Sequence, residues 1–164
     1  MAARVIDNFL PDAAFSAIQD LVMGLGFPWY YTPTITTRDV TDGHRFYMSH
    51  IFYGDNFISS VARLITPLVN KVGPVDLIRV KANLYPNQGD LFQHEPHFDY
   101  DFPHQAAVFG INTNDGATVF ADGERVDSRA NRIVFFDGSE LHSSTTCTTE
   151  AARVNINLNY TGEK

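Results

Sequence analysis

Ile78-Arg79-Val80-Lys81-Ala82-Asn83-Leu84-Tyr85 alternates, residue by residue, between apolar side chains (Ile78, Val80, Ala82, Leu84) and polar or amphipathic ones. Successive side chains of a strand point to opposite faces, so this segment reads as a strand with one greasy and one polar face. Residues 152–160 repeat the pattern: Val154, Ile156, Leu158 and Tyr160 alternate with Arg153, Asn155, Asn157 and Asn159. Shorter strands are expected at 106–112, 117–120, 124–127 and 132–136. Asp122-Gly123 lies between two of these and is a hairpin signal. Ile133-Val134-Phe135-Phe136 is apolar on both faces, which suits the middle of a sheet.

Upstream of these strands the period becomes helical. Pro11-Asp12 opens a run with Phe15, Ile18, Leu21 and Val22 on one face, closed by Gly24 and Gly26. A second helical pattern runs from 57 to 72 through Ile58, Val61, Ile65 and Leu68, with Pro67 predicting a kink or an early end. Residues 34–50 are rich in Thr, Asp and Gly and read as a loop or short hairpin, a candidate lid. Two helices followed by many short strands imply a mostly β, α+β chain: a jelly roll of two antiparallel sheets with N-terminal helices packed on one of them. No linker interrupts it, so residues 1–164 read as one domain, helical up to about 74 with a jelly-roll core over about 75–160.

Composition narrows the class. The chain is 44% hydrophobic with 13 Phe and 7 Tyr, enough to build a core without staples. Its formal charge of −7 argues against nucleic acid or an anionic membrane as a general partner. Cys147 is the single cysteine, which excludes an internal disulfide and a cysteine-rich zinc site. The first residues lack the apolar run of a signal peptide and no stretch approaches spanning length, so a cytoplasmic protein is expected. Composition leaves the oligomeric state open.

The chemistry concentrates in Gln93-His94-Glu95-Pro96-His97-Phe98-Asp99-Tyr100-Asp101-Phe102-Pro103-His104. On an extended backbone His97 and Asp99, two apart, project from the same face. His142 is placed to add a third metal ligand, because it follows the strand 132–136 and the turn Asp137-Gly138-Ser139. Two imidazoles and one carboxylate leave open positions on an octahedral metal and favour non-haem Fe(II) over zinc or magnesium. An isolated His-x-Asp pair has a bland alternative, a solvated loop pair. His94 lies an odd number of residues away and cannot share that face, whereas Asp101 can and is a reserve carboxylate. His104, after Pro103, is expected in a loop.

With these residues in order, the C-terminal half resembles the 2-oxoglutarate/Fe(II) dioxygenase superfamily, particularly its prolyl 4-hydroxylase-like branch. The likeness runs through Tyr85, Gly89, His97, Asp99, Asn114-Asp115-Gly116-Ala117-Thr118, His142 and Arg153, and covers about residues 76 to 160. The opening Val5-Ile6-Asp7-Asn8-Phe9-Leu10 also looks like the family's lead-in. The resemblance implies a double-stranded β-helix, with iron on His97, Asp99 and His142. It implies that Arg153 holds the distal carboxylate of 2-oxoglutarate, helped by Tyr85, with Asn83 and Asn155 in reach. Such a carboxylate needs a cation deep in the barrel, and Arg can hold it bidentately. Two departures stand out: collagen-type prolyl hydroxylases carry Lys where this chain has Arg153, and the family often has two glycines in the turn at 115–118.

The resemblance implies hydroxylation of a substrate C–H bond, with 2-oxoglutarate converted to succinate and carbon dioxide. Iron(II), 2-oxoglutarate and O2 are the implied cofactors, with ascorbate a candidate addition. A peptidyl prolyl or other amino-acid side chain is the first expected substrate, a small metabolite the second and a nucleobase the third. Arg38, Arg45 and Tyr47, with Phe46, Trp29 and Tyr30, are a candidate substrate wall, against the alternative of packing aromatics and solvated arginines. Arg79 and Lys81 share the face of Asn83 and are expected to be solvated or paired. A non-catalytic, cupin-like jelly-roll binding module is the rival, and it gives no reason to place Arg153 on the pocket face.

Overall fold

The computed structural model describes residues 3–34, 46–54 and 57–163. Its strands are β1 Arg4–Ile6, β2 Tyr30–Thr32, β3 Tyr47–Gly54, β4 Phe57–Ile58, β5 Pro74–Pro86 and β6 Gln105–Gly110. They continue as β7 Ala117–Phe120, β8 Arg125–Asp127, β9 Ile133–Asp137, β10 His142–Ser144 and β11 Ala152–Glu163. The helices are α1 Asp12–Met23 and α2 Thr66–Val72, the latter entered through a 3-10 turn at Ala62–Ile65. A large antiparallel sheet runs β1-β9-β6-β11-β5-β3-β2, with β4 on β3, and a small one runs β10-β7-β8. This is the jelly roll expected from the sequence.

The long β5–β11 pair is the spine of the large sheet. Its register sets Val154 against Leu84, Ile156 against Ala82 and Leu158 against Val80, so the apolar residues of both strands share one face. That face is covered by Ile18 and Val22 of α1 and by Leu68 and Val72 of α2, which join one buried cluster with Phe109, Ile133 and Phe135. Each fully buried aliphatic side chain there contributes about 1.5–3 kcal/mol. On the opposite face Arg153 meets Tyr85, Asn155 meets Asn83, Asn157 meets Lys81 and Asn159 meets Arg79. The β11 members of this polar row are no less buried, with Arg153 1% exposed, Asn155 4% and Asn159 0%, while Arg79 and Lys81 on β5 are half-buried. The row therefore lies inside the sandwich, facing the small sheet.

Single backbone bridges pair Gln93 with Thr145 and His97 with His142, so the His-x-Asp segment lies along the free side of β10. It does not form a continuous strand, and Pro96 inside it has no N–H to give a ladder. At the far end of the small sheet, Phe120 and Glu124 close the β7–β8 hairpin over Asp122-Gly123, with Gly123 at φ +90°.

Three local expectations change. The segment from 57 begins with strand β4 instead of a helix turn. Pro67 causes no kink, because it sits in the first turn of α2, where a missing N–H has no partner to lose. Residues 47–50 belong to β3, whose cross-strand pairing with β5 outweighs their weak apolar rhythm. The N-terminal part, read as helical, thus supplies strands β1 to β4, and the expected lid over 35–45 lies outside the described residues.

Asn131 ties the N-terminal lead-in to the barrel. Its Oδ1 accepts from Leu10 N at 2.8 Å and its Nδ2 donates to Leu10 O at 2.8 Å. Its own φ of +59° is left-handed, a conformation Asn tolerates better than most residues. Asn131→Ala should lower unfolding stability by about 2–4 kcal/mol through two lost buried bonds and backbone strain, and Asn131→Gly by less because the strain is relieved. Urea unfolding midpoints check this, and equal midpoints for wild type and both variants would remove the tie from the account.

Candidate metal centre

His97 and His142 are brought together by the backbone bridge between their own residues, which sets their rings 4.7 Å apart. Asp99 follows two residues on, its N–H bonded to Gly138 O at 3.3 Å. One ligand atom from each of His97, Asp99 and His142 lies within 4.8 Å of the others, the one such cluster among the described residues. His97 Nδ1 lies 3.3 Å from Glu95 O and His142 Nδ1 lies 3.0 Å from Glu140 O. With a proton on each Nδ1 for those carbonyls, both Nε2 lone pairs are left to face a metal.

Asp99 is gripped on both oxygens. Arg79 Nη2 donates to Oδ1 at 2.9 Å, while Asn157 and Asn159 donate to Oδ2 at 3.1 and 2.7 Å. Burial works against the carboxylate's charge, but Arg79, His142 and the two asparagines overcome it and hold the group far below the usual carboxylate range. Burial, and then the neighbouring His142, push His97 below the ordinary imidazole value. At neutral pH the cluster therefore offers an imidazole lone pair from His97 and an anionic oxygen. Two nitrogens and one carboxylate on one side fit a divalent first-row metal with open positions, iron(II) included.

Deeper in the same interior stands Arg153. Its Nε donates to Ser128 Oγ at 2.6 Å, Nη1 to Thr145 O at 3.3 Å and Nη2 to Thr118 Oγ1 at 3.1 Å. A guanidinium has five N–H groups, so two remain. No carboxylate among the described residues pairs with it, although burial presses its pKa down. The side chain reaches this depth past Gly116, where a Cβ would lie 2.6 Å from Arg153 Cδ. One cavity is lined by His97 and His142, by Arg153, Tyr85 and Thr118, and by Asn83 and Asn155.

The residues expected from sequence are mostly gathered there. Asn83 Nδ2 donates to Asn155 Oδ1 at 3.0 Å, and the Tyr85 ring lies 5.3 Å from the Arg153 guanidinium carbon. Tyr47 is no outer wall: it is 5% exposed and stacks on Tyr85 at 5.7 Å. Tyr30 is 63% exposed on edge strand β2, and Arg38 and Arg45 lie outside the described residues. Asp101 is exposed and outside the cluster. His104 lies in the loop before β6, as expected, but is buried there, with Nδ1 on Phe102 O at 2.9 Å. The grip of Arg79, Asn157 and Asn159 on Asp99 was not anticipated. The parity of the two strands already put all three on the pocket face, and that was the available signal.

No protein-family model and no curated protein sequence matches the chain. Solved structures do. A Pseudomonas putida prolyl-4-hydroxylase is 17% identical, with 98% of this chain and 92% of that one covered at a TM-score of 0.61. A Trichoplax adhaerens prolyl hydroxylase, in complex with a hypoxia inducible factor oxygen degradation domain peptide, is 15% identical with 97% and 83% covered at 0.65. The epimerase SnoN, in complex with Fe3+, alpha ketoglutarate and nogalamycin RO, is 11% identical with 97% and 78% covered at 0.66. At these identities the shared property is the fold, that of prolyl hydroxylases and related 2-oxoglutarate/iron oxygenases.

Metal binding by this cluster should fall with acid. His97 titrates below the ordinary imidazole value near 6.5, so protons compete with metal only under that pH, while Asp99 stays ionised throughout the range. Calorimetric titration with Mn(II) should show little change from roughly pH 7.5 to 6.5 and a progressive weakening as the pH falls further. A His97→Ala variant that keeps wild-type affinity and pH dependence would mean that the imidazole is not a ligand.

Proposed function

We propose that the chain is a 2-oxoglutarate- and Fe(II)-dependent dioxygenase, with residues 1–164 as one oxygenase domain, that hydroxylates a substrate C–H bond while 2-oxoglutarate becomes succinate and carbon dioxide. One observation carries the reading: a fully buried guanidinium with no carboxylate partner among the described residues shares a cavity with a two-histidine, one-carboxylate cluster. A buried cation without a counter-charge is costly unless a ligand brings one. A jelly-roll module that merely binds sugar has no use for that charge. The neighbours that bind alpha ketoglutarate and iron supply the precedent on the same fold.

In this reading His97, Asp99 and His142 hold the iron. When bound, iron(II) supplies the activation of O2 coupled to decarboxylation of the co-substrate. The chain's own residues do the rest. Arg153 offers its two remaining N–H groups to the distal carboxylate of 2-oxoglutarate, in the bidentate geometry that planar groups favour. Thr118, Thr145 and Ser128 keep the guanidinium aimed, and Tyr85 closes the pocket beside it. Asn83 and Asn155 line the path between anion site and metal. Arg79, Asn157 and Asn159 keep Asp99 anionic and in one rotamer. Burial excludes water from the reacting centre. No acid or base beyond these groups is required, and ascorbate is a candidate accessory. Peptidyl and small-molecule substrates both have precedents among the neighbours.

Metal-free protein given Fe(II) and 2-oxoglutarate without oxygen should develop the weak visible charge-transfer band of the chelate. His142→Ala should abolish it by removing a ligand. Arg153→Ala should weaken 2-oxoglutarate binding by about 100-fold, the loss of two charge-assisted hydrogen bonds, and leave Mn(II) affinity nearly unchanged. If zinc binds tightly and no band forms, the oxygenase reading is lost.

A further inference from the structure

On the inner face of β5, Lys81 stands between Arg79 and Asn83, both of which have partners in the site. Opposite it on β11 is Asn157, which holds the Asp99 carboxylate, so Lys81 stands on the same face as the metal cluster, near enough for its charge to act on His97. Opposite it on β3 is Ile51. Among the described residues the ammonium has one hydrogen-bond partner, the Tyr47 hydroxyl at 3.3 Å, and it lies 5.4 Å from that ring's centre. No carboxylate among the described residues forms an ion pair with it. Burial first, and then Arg79, bring its pKa down to about 8, with Asp99 opposing. Burial and the neighbouring Tyr85 push the Tyr47 phenol up to about 12, so it stays protonated. The pair is a cluster rich in donors, with an ammonium that has N–H groups to spare.

A charge count gives that cluster a purpose. Asp99 would be matched by Arg79 and the distal carboxylate of 2-oxoglutarate by Arg153, while the chelating carboxylate would answer one of the two charges of iron(II). Lys81 then leaves the loaded site positive, at a half-buried position where uncompensated charge is costly. A carboxylate arriving with the remaining reactant would answer it. We propose that Lys81, with Tyr47 beside it, recognises a carboxylate on the organic substrate, which is a free amino acid or another small carboxylic acid. The inference rests on the oxygenase reading. An internal peptide residue offers an amide where a free acid offers a carboxylate, and a nucleobase offers no charge, so neither answers a cation placed beside the metal.

One other source of the same chemistry exists, the carboxylate of 2-oxoglutarate that chelates the metal, and the experiment separates the two. Lys71, Lys81 and Lys164 are the lysines of the chain, so protein carrying 13C at lysine Cε gives few signals, and Lys81→Gln assigns the relevant one. The full chain is loaded with Zn(II) and N-oxalylglycine, an unreactive co-substrate analogue, and titrated with propionate or with propionamide. The expected result is a saturable shift of the Lys81 signal with propionate, none with propionamide, and none at Lys71 or Lys164. Equal responses to propionate and propionamide, or none to either, overturn the proposal. A Lys81 shift that appears with N-oxalylglycine and does not grow with propionate also overturns it, and gives Lys81 to the co-substrate. If calorimetry shows that N-oxalylglycine does not bind, the oxygenase reading has failed, and propionate titration of the Zn(II) protein still decides Lys81.

Discussion

A row of polar side chains sealed between two sheets has to be satisfied from within, and everything distinctive about this molecule follows from how that is done. On β5 and β11 the row runs from Arg79 and Asn159 to Tyr85 and Arg153, opposite one another in register. Ordinary sandwiches fill this space with aliphatic side chains and gain transfer free energy from it. Here the stabilising apolar burial is shifted to the other face, under α1 and α2. Strands β6 and β9 keep a small apolar cluster around Val134 and Phe136, but on β5 and β11 the inner face is left to hydrogen bonds and charge. Part of it closes on itself, as in the Asn83–Asn155 and Asn159–Asp99 bonds. Part does not, and those unclosed groups define where ligands go.

The two cationic ends of the row are handled differently. At one end Arg79 finds Asp99, and the pair is completed by Asn159, whose Oδ1 accepts from Arg79 Nε at 3.2 Å. At the other end Arg153 receives only hydroxyl and carbonyl acceptors. Neutral acceptors orient a guanidinium but leave its charge unanswered. The difference between the ends separates a cation paired within the fold from one left without a carboxylate among the described residues, and it is visible only once partners are assigned in space.

That is also the boundary of what the sequence made legible. Period-two alternation at 78–85 and 152–160 identified the two central strands and the shared face of Arg153, Asn155 and Asn83, because strand parity is a local property. The Asp122-Gly123 hairpin was readable for the same reason. The parity argument extended equally to Arg79, Asn157 and Asn159, yet which of them meets Asp99 depends on the path of residues 93–99, a long-range fact. Helix and strand were confused at Phe57–Ile58, where two apolar residues carry no period of their own. Tyr47 looked like a loop residue because its strand is specified by β5 and not by its own neighbours. Gly116 was noticed as the single glycine of a turn where the family often has two, while its physical reason, the passage of the Arg153 side chain, needs coordinates.

The grip on Asp99 bears on how the proposed metal site could form. A carboxylate with 6% side-chain exposure is expensive without a counter-charge, and a site relying on metal alone for that charge would be unstable until loaded. Arg79 removes this dependence by standing against Oδ1, and the asparagines fix Oδ2 in place. Each carboxylate oxygen has two lone pairs: the asparagines fill both on Oδ2, and Arg79 takes one on Oδ1, so the remaining acceptor capacity is on Oδ1. A metal on the proposed site would take that lone pair beside Arg79 or displace an asparagine from Oδ2, which lies 3.9 Å from His142 Nε2. The carboxylate is held in one place without a metal because its counter-charge comes from Arg79.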